Sequence, residues 1–465
     1  MNMINVRRLT VMTFLGAGML SGISAQVSPL QVDTLKETKI PAQWDLQSCI
    51  DYAKEQNITI RKNRITAAST QIDVKTAKAA LFPSLSFSTS QQVVNRPYQE
   101  TSSRVSGSEI ISSNSKTSYN GNYGLNASWT LYNGNKRLKT IQQEKLNNQV
   151  AELDVATSEN NIQESIAQVY IQILYAAESV KVNENTLQVS IAQRDRGQEL
   201  LNAGSIAKSD FAQLEAQVST DRYQLVTAQA TLEDYKLQLK QLLELDGENE
   251  MNIYLPALSD ENVLAPLPTK RDVYISALSF RPEIEASKLN VEASELGINI
   301  AKSSYFPTIS LSAGIGTNHT SGSDFTFGEQ VKNGWNNSIG LSVSVPIFNN
   351  RQTKSAVQKA KLQYETSMLS LLDEQKALYK TIESLWLDAN SAQQRYAAAN
   401  EKLKSTQISY ELISEQFNLG MKNTIELLTE KNNLLQAQQE QLQAKYMAIL
   451  NTQLLKFYQG DKLAL

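Results

Sequence analysis

At two places in this chain the spacing of apolar residues changes from helical to strictly alternating, and the same short block of sequence marks each change. Ala77-Lys78-Ala79-Ala80-Leu81-Phe82-Pro83-Ser84-Leu85-Ser86-Phe87-Ser88 ends a helical pattern at a proline and goes on as a period-two strand. Ala301-Lys302-Ser303-Ser304-Tyr305-Phe306-Pro307-Thr308-Ile309-Ser310-Leu311-Ser312 does the same. Further along, Leu125 to Gly134 corresponds to Leu341 to Asn350, and Leu201-Asn202-Ala203-Gly204 to Phe417-Asn418-Leu419-Gly420. The first match is offset by 224 residues (77 to 301) and the later ones by 216 (125 to 341). The copies therefore differ by a net length change between the strands of the first pair, where a surface loop tolerates it.

The pattern predicts two tandem repeats, each with long helices and a β-hairpin. In the first, Leu46, Ile50 and Ala53 begin a helix that runs from Asp45 to about Leu81 without internal glycine or proline. A strand over about 84–94 follows, then a polar loop to about 122, then a strand over about 121–131. From Gly134 to Leu201 there is no proline and one internal glycine, Gly197, which predicts a helix of roughly 100 Å. Gly204 breaks it, and a helix from Ser209 or Asp210 runs to about Leu245. The second repeat reads as a helix over 272–306 that Pro282 kinks or restarts, strands over about 308–317 and 337–347, a long helix over 351–416, a break at Gly420 and a helix over 424–457. The domain plan is a signal peptide 1–25, an extended leader 26–43, the repeats 44–255 and 272–460, a linker 256–271 between them and a tail 461–465. By length, the helix ending near Leu245 is expected to stack end to end with the helix 272–306 beside a long helix. The final helix is expected to stack likewise with the first.

In the strands, Ile339, Leu341, Val343, Val345 and Ile347 line one face, while Ser338, Gly340, Ser342 and Ser344 line the other. A lone hairpin with such a face is marginal in water. If lipid covers the apolar face, every backbone group must still be paired, which requires a closed barrel. Single-chain barrels begin at eight strands, so four strands force association: two chains give eight and three give twelve. Only the larger barrel encloses a water-filled lumen. Trp129, Tyr132 and Phe348 fall at the helix-side strand ends and Tyr119, Tyr123 and Trp335 at the loop-side ends, as membrane-interface aromatics do.

Composition narrows the chemistry. At 41% hydrophobic residues and a mean hydropathy of −0.34, an elongated or oligomeric molecule fits as well as a well-cored one. Arg7-Arg8, an apolar run from Leu9 to Leu20 and small residues up to Ala25 predict a secretory signal. Its removal takes two arginines and no acids, moving the formal charge from −3 to −5, which disfavours nucleic acid as a partner. No later stretch approaches the ~20 apolar residues of a spanning helix, so any membrane segment is expected to be β. Cys49 and His319 are the only residues of their kinds, which removes Cys/His zinc sites and Ser-His-Asp or Cys-His catalysis. No enzyme activity, cofactor or metal site is expected.

Helix, Phe-Pro, strand, loop, strand, Phe/Tyr-Asn-Asn/Gly, long helix, Asn-x-Gly, helix, given twice, resembles the TolC-like outer membrane efflux family. Trp44-Asp45-Leu46-Gln47-Ser48-Cys49-Ile50-Asp51-Tyr52-Ala53 and Ala277-Leu278-Ser279-Phe280-Arg281-Pro282-Glu283-Ile284 add to the likeness, which covers about 45–460. The resemblance implies an α+β membrane protein: a homotrimer whose twelve-stranded transmembrane β-barrel is continuous with a periplasmic α-helical barrel. Pro83 and Pro307 would mark the helix–strand junctions. It implies docking on a periplasmic adaptor coupled to an inner membrane pump, through Leu201, Ala203, Gly204, Ser205, Leu419, Gly420 and Met421 at the two helix breaks. It also implies a periplasmic gate, for which Asp210 and Glu426, each six residues beyond a glycine, are the acids at equal spacing. Acids in a first helical turn also favour the helix dipole by ~0.3–1 kcal/mol, so a helix-start role stays open beside the gate. Family members often carry a second acid three residues later, where this chain has Gln213 and Thr429.

Three functions remain open at this point. The first is an efflux duct for small molecules or drugs, and the second is the same duct serving type I protein secretion. The third is a non-conducting scaffold or adhesin that binds through the polar loops 95–122 and 318–336.

Overall fold

The computed structural model describes residues 41–98, 102–106, 109–113, 116–246, 251–256, 263–321, 323 and 325–463. The expected signal peptide 1–25, nearly all of the leader 26–43 and part of the linker 256–271 lie outside these residues, as does the end of the tail.

The first helical segment is two helices, α1 (Leu46–Gln56) and α2 (Ile58–Ala79), not the continuous helix that its composition suggests. Asn57 is the reason. Its side chain accepts hydrogen bonds from the backbone N–H groups of Thr59 (2.9 Å) and Ile60 (3.4 Å), satisfying donors that a new helix start leaves free. The strand β1 (Ser84–Asn95) follows Pro83. Two short strands, β2 (Ser102–Ser106) and β3 (Glu109–Ser113), form a hairpin within the expected polar loop, and β4 (Thr117–Asn133) starts well before the predicted 121. The long helix α3 (Lys136–Asn202) and the helix α4 (Lys208–Leu242) complete the first half.

In the second half, α5 (Lys270–Phe280) and α6 (Pro282–Lys302) meet at Arg281, which is extended because a proline follows it; Pro282 restarts the helix as its spacing predicts. After a 3₁₀ turn at Ser303–Tyr305 come β5 (Thr308–Thr320), a short helix α7 (Phe327–Asn333) within the expected loop, and β6 (Asn336–Ser344). β6 stops three residues short of the expected 347, since Pro346 lacks the N–H to continue a ladder. The helices α8 (Gln352–Asn418) and α9 (Thr424–Gln459) close the chain. Both long helices, α3 and α8, have 67 residues.

Each strand enters its long helix through two consecutive left-handed residues, Gly134-Asn135 and Asn350-Arg351. This is the physical content of the doubled Asn-Gly/Asn-Asn motif, because glycine and asparagine bear this conformation at the least cost. At Gly134 a side chain would also meet the Ser303 carbonyl oxygen at 2.6 Å, so this turn is packed against the 3₁₀ turn of the other half.

The strands β1-β4-β5-β6 form one antiparallel sheet in that order. β4 pairs with β5, joining the two halves of the chain, while β1 and β6 are open edges among the described residues. Register places Phe87, Leu125 and Ile315 across from one another, and likewise Leu311 beside Trp129 and Leu341. The opposite face carries Ser86, Asn126 and Gly314, and Ser88, Gly124 and Gly316. A bulge at Leu131 interrupts the alternation near the helix end of β4.

The largest core lies near the middle of the long helices, where Tyr170 and Ile173 of α3 pack with Trp44, Cys49, Leu239, Ile284 and Leu454. Here the stacking differs from the length-based expectation. The Asn57 amide donates to the Leu242 carbonyl (3.0 Å) and the Ile58 N–H to Glu244 (3.2 Å), which seats α2 on the end of α4. The buried Arg281 guanidinium lies 4.1 Å from the Tyr458 ring centre, which seats α6 on the end of α9. Each short helix thus stacks within its own half of the chain, not on the other half. Capping and stacking chemistry at Asn57 and Arg281 decides this pairing, and helix length alone does not encode it.

Candidate functional site

The two ends of the long helices carry the residues that the sequence singles out. At the end away from the strands, α3 and α8 finish in the same hydrogen-bonded turn. The Ser205 N–H donates to the Leu200 carbonyl (2.8 Å) and Gly204 to Leu201 (3.0 Å); Met421 donates to Gln416 (2.8 Å) and Gly420 to Phe417 (2.9 Å). Both glycines hold positive φ, +70° and +74°, and open space surrounds the position of a side chain at each. Ala203, Gly204 and Ser205 are exposed, as are Leu419 (72%) and Met421 (65%), whereas Leu201 is half-buried. Leu214, Phe417 and Leu427 pack together beneath the turns, with Leu200 and Tyr410 against them, so four helices share one tip. Gly197 explains itself there: a Cβ would stand 2.3 Å from Leu214 Cδ1.

Both candidate gate acids sit in helix-start hydrogen bonds. The Ala207 N–H donates to Asp210 at 3.3 Å. Glu426 and Asn423 form a reciprocal capping box, with Asn423 N–H to Glu426 at 3.2 Å and Glu426 N–H to Asn423 at 2.9 Å. Lys422 Nζ adds a bond to Glu426 at 2.7 Å. The lysine first, and then the Asn423 N–H, hold the Glu426 carboxyl below the usual glutamate range. Lys422 and the exposed Ile425 belong to the same surface but were not predicted. The Asn-x-x-Glu spacing from Asn423 to Glu426 was the signal for the cap.

Farther from the turns, Lys431 Nζ contacts the Asp221 carboxylate, and Ser190 donates to the same oxygen. All three side chains are buried, and they join α3, α4 and α9. Burial lowers the Lys431 pKa, opposed by its bond to Asp221. No spacing rule links these positions along the chain.

At the strand end, Leu85, Phe87, Ile339 (78%), Leu341 and Val343 leave one face of the sheet apolar and exposed. Trp129 lies at the helix side, where its indole N–H donates to the Leu81 carbonyl at 2.7 Å. Arg137 donates to the Ala80 carbonyl at 3.0 Å, so two carbonyls left free at the end of α2, just before Pro83, are satisfied. Tyr132 is half-buried on this side, and Phe348 is exposed beyond the end of β6. At the far side, His319 is buried between Tyr119 and Tyr123, with ring centres at 5.2 and 5.8 Å, and Phe327 of α7 closes over it at 5.0 Å. Trp335 is exposed just before β6. Pro307 precedes β5 as Pro83 precedes β1. Among the described residues no helix is long and apolar enough to cross a membrane.

The sequence profile of the outer membrane efflux protein family matches residues 49–244 and 273–460. The outer membrane efflux protein BepC of Brucella suis is 24% identical over 294 residues, 63% of this chain and 61% of that one. The outer membrane protein TolC of Escherichia coli is 23% identical over 311 residues, 65% of this chain and 62% of that one. The aligned part thus spans about three fifths of these relatives' length. Among solved structures, that of CusC superposes with a TM-score of 0.76 at 18% identity, covering 92% of this chain and 96% of that one. The outer membrane protein VceC of Vibrio cholerae gives 0.72 at 16%, covering 90% and 97%.

Proposed function

Because the chain belongs to the outer membrane efflux protein family, we propose that it is the passive outer membrane duct of a tripartite efflux system, exporting small molecules. It works as a homotrimer with a periplasmic adaptor and an inner membrane pump. The observation that carries this reading is the sheet. Among the described residues, the four antiparallel strands of the main sheet have two open edges, one apolar face and one face of serine, asparagine and glycine. In lipid the open edges demand pairing with other copies. Three copies supply twelve strands, with the apolar face outward and the small polar face around water.

Such a duct performs no chemistry, and the pump supplies the energy. The exposed turns at Gly204 and Gly420 suit an adaptor, since the absence of side chains there lets a partner backbone approach closely. Asp210 and Glu426 would form a ring of six carboxylates around the aperture, with Lys422 offsetting part of its charge.

Conductance of the purified protein in planar bilayers tests the reading. Ion-conducting steps from a folded trimer are expected, while a folded trimer without conductance overturns it. Replacing Asp210 and Glu426 with alanine tests the gate: cation preference and block by multivalent cations should fall, and an unchanged channel leaves both acids with the helix-start role alone.

A further inference from the structure

The connection between β5 and β6 is fastened to the sheet. In its helix α7, the Val331 carbonyl accepts from the Thr317 hydroxyl at 2.7 Å. Gln330 accepts from the Thr320 N–H at 2.9 Å and donates to the Phe325 carbonyl at 2.9 Å, tying the start of the connection to the end of β5. Phe327 meets the His319 ring edge-on.

Register shows on which side of the sheet this happens. Gly121 pairs with His319, Tyr123 with Thr317 and Leu125 with Ile315, so His319 and Thr317 share the face of Leu125 and Ile315. α7 therefore lies against the apolar face, not against the face of serine and glycine. Gly121 makes this possible. A Cβ there would overlap His319 Cε1, so the imidazole lies across β4 in the gap that glycine leaves between Tyr119 and Tyr123.

The level along the sheet is equally defined. Tyr119 and Trp129 are ten positions apart on β4, about 33 Å along a strand and roughly 25 Å in height at a tilt of about 40°, the height of the apolar band of a membrane barrel. With Trp129 at the helix-side edge of that band, His319 and α7 stand at the other edge. The turn with Phe327, Gln330 and Val331 faces the sheet, while Glu329, Lys332 and Asn333 are exposed on the other side of the helix. Exposed aromatics flank it, Phe325 by 53% and Trp335 by 57%. By the alternation of Asn337 and Ile339, Trp335 falls on the apolar side. A charged outer side between large aromatics, at the edge of an apolar surface, is the composition of a helix lying in a membrane interface.

We propose that α7 is an interfacial element on the outside of the barrel, anchored by His319, with Glu329, Lys332 and Asn333 among the headgroups of the outer leaflet and Phe325 and Trp335 beside its acyl chains. This rests on the barrel reading above and adds that this connection belongs to the lipid boundary and not to the channel mouth.

Nitroxide labels on introduced cysteines test it, in protein reconstituted into vesicles of phosphatidylcholine and phosphatidylglycerol. Collision with oxygen, which concentrates in lipid, is read against collision with a water-soluble nickel chelate. Phe325→Cys is the test position, Ile339→Cys the lipid reference and Ser342→Cys the water reference. Native Cys49 can stay, since it is buried and its thiol is pushed up to about 12. The label at 325 should favour oxygen severalfold over the label at 342, at a shallower depth than the label at 339. A label at 325 as open to the chelate as that at 342, with 339 still in lipid, overturns the interfacial helix and leaves the barrel standing; a label at 339 equally open to the chelate overturns both. Adding His319→Ala to Phe325→Cys should raise chelate collisions at 325 severalfold, and the same change beside Ile339→Cys should alter nothing. A label at 325 that His319→Ala does not move overturns the anchor.

Discussion

Lys431 of α9 and Asp221 of α4 meet as a buried ion pair, and Ser190 of α3 donates to the same carboxylate. Gln217 binds the other carboxylate oxygen at 2.9 Å, so both oxygens of Asp221 have partners. Removing one member leaves a buried charge without its counterion, which costs about 3–5 kcal/mol, whereas replacing both by apolar groups costs far less. Asp221→Ala should therefore destabilise the tip-side half strongly, and Asp221→Leu with Lys431→Met should recover most of the loss. Hydrogen exchange of α4 and α9 amides measures both.

The turn at Gly420 holds φ +74° with open space around it, so alanine meets no clash there, only backbone strain. Gly420→Ala should cost roughly 1–2 kcal/mol locally, seen as faster exchange at the end of α8. Gly197→Ala is the opposite case. Its backbone is helical, yet the new methyl would collide with Leu214, and overpacking of about 1–3 kcal/mol should exceed the ~1 kcal/mol gain in helix propensity. Thermal unfolding of the two variants distinguishes strain from crowding.

Leu341 and Ser342 are neighbours on β6 that face opposite sides of the sheet. Leu341→Arg should cost about 2–4 kcal/mol in lipid and reduce the trimer recovered from membranes. Ser342→Arg should leave assembly intact and shift the conductance and its ion selectivity. Equal effects at both positions would contradict the assignment of the faces.

Glu426 is held below the ordinary glutamate range by Lys422 and by the Asn423 N–H. An acid with a depressed folded-state pKa contributes stability above its unfolded value, about 4.3, and loses it as pH falls through the folded value. The start of α9 should therefore loosen on acidification below that range. Relative to the intrinsic exchange rate at each pH, protection at Thr424–Leu428 should fall as pH falls in the native protein, and should be lower and less pH-dependent in Glu426→Gln.

Much of this architecture was legible from spacing alone. Period-two alternation from Ser84 and from Thr308 located the strands, and the absence of proline across 136–202 and 352–418 located the long helices. These are local properties, in which backbone geometry and side-chain direction repeat at short intervals. The tip glycines were legible for the same reason, because positive φ after a helix selects glycine within a few residues. The capping box at Asn423 was equally local.

Contacts between distant segments were not legible. Asn57 caps a new helix through its own neighbours, but that its amide also finds Leu242, 185 residues away, and so seats the helix there, is written nowhere nearby in the chain. Helix lengths suggested stacking across the two halves, and Asn57 and Arg281 set it within each half instead. Asp221 and Lys431 are 210 residues apart, and only packing makes them one buried pair. The sequence by itself determined the long helices, the four strands of the main sheet and which strand face is apolar, since those follow from neighbours along the chain. Only the tertiary structure decided which helix ends meet and which charges are buried, since burial depends on what the rest of the chain brings to each side.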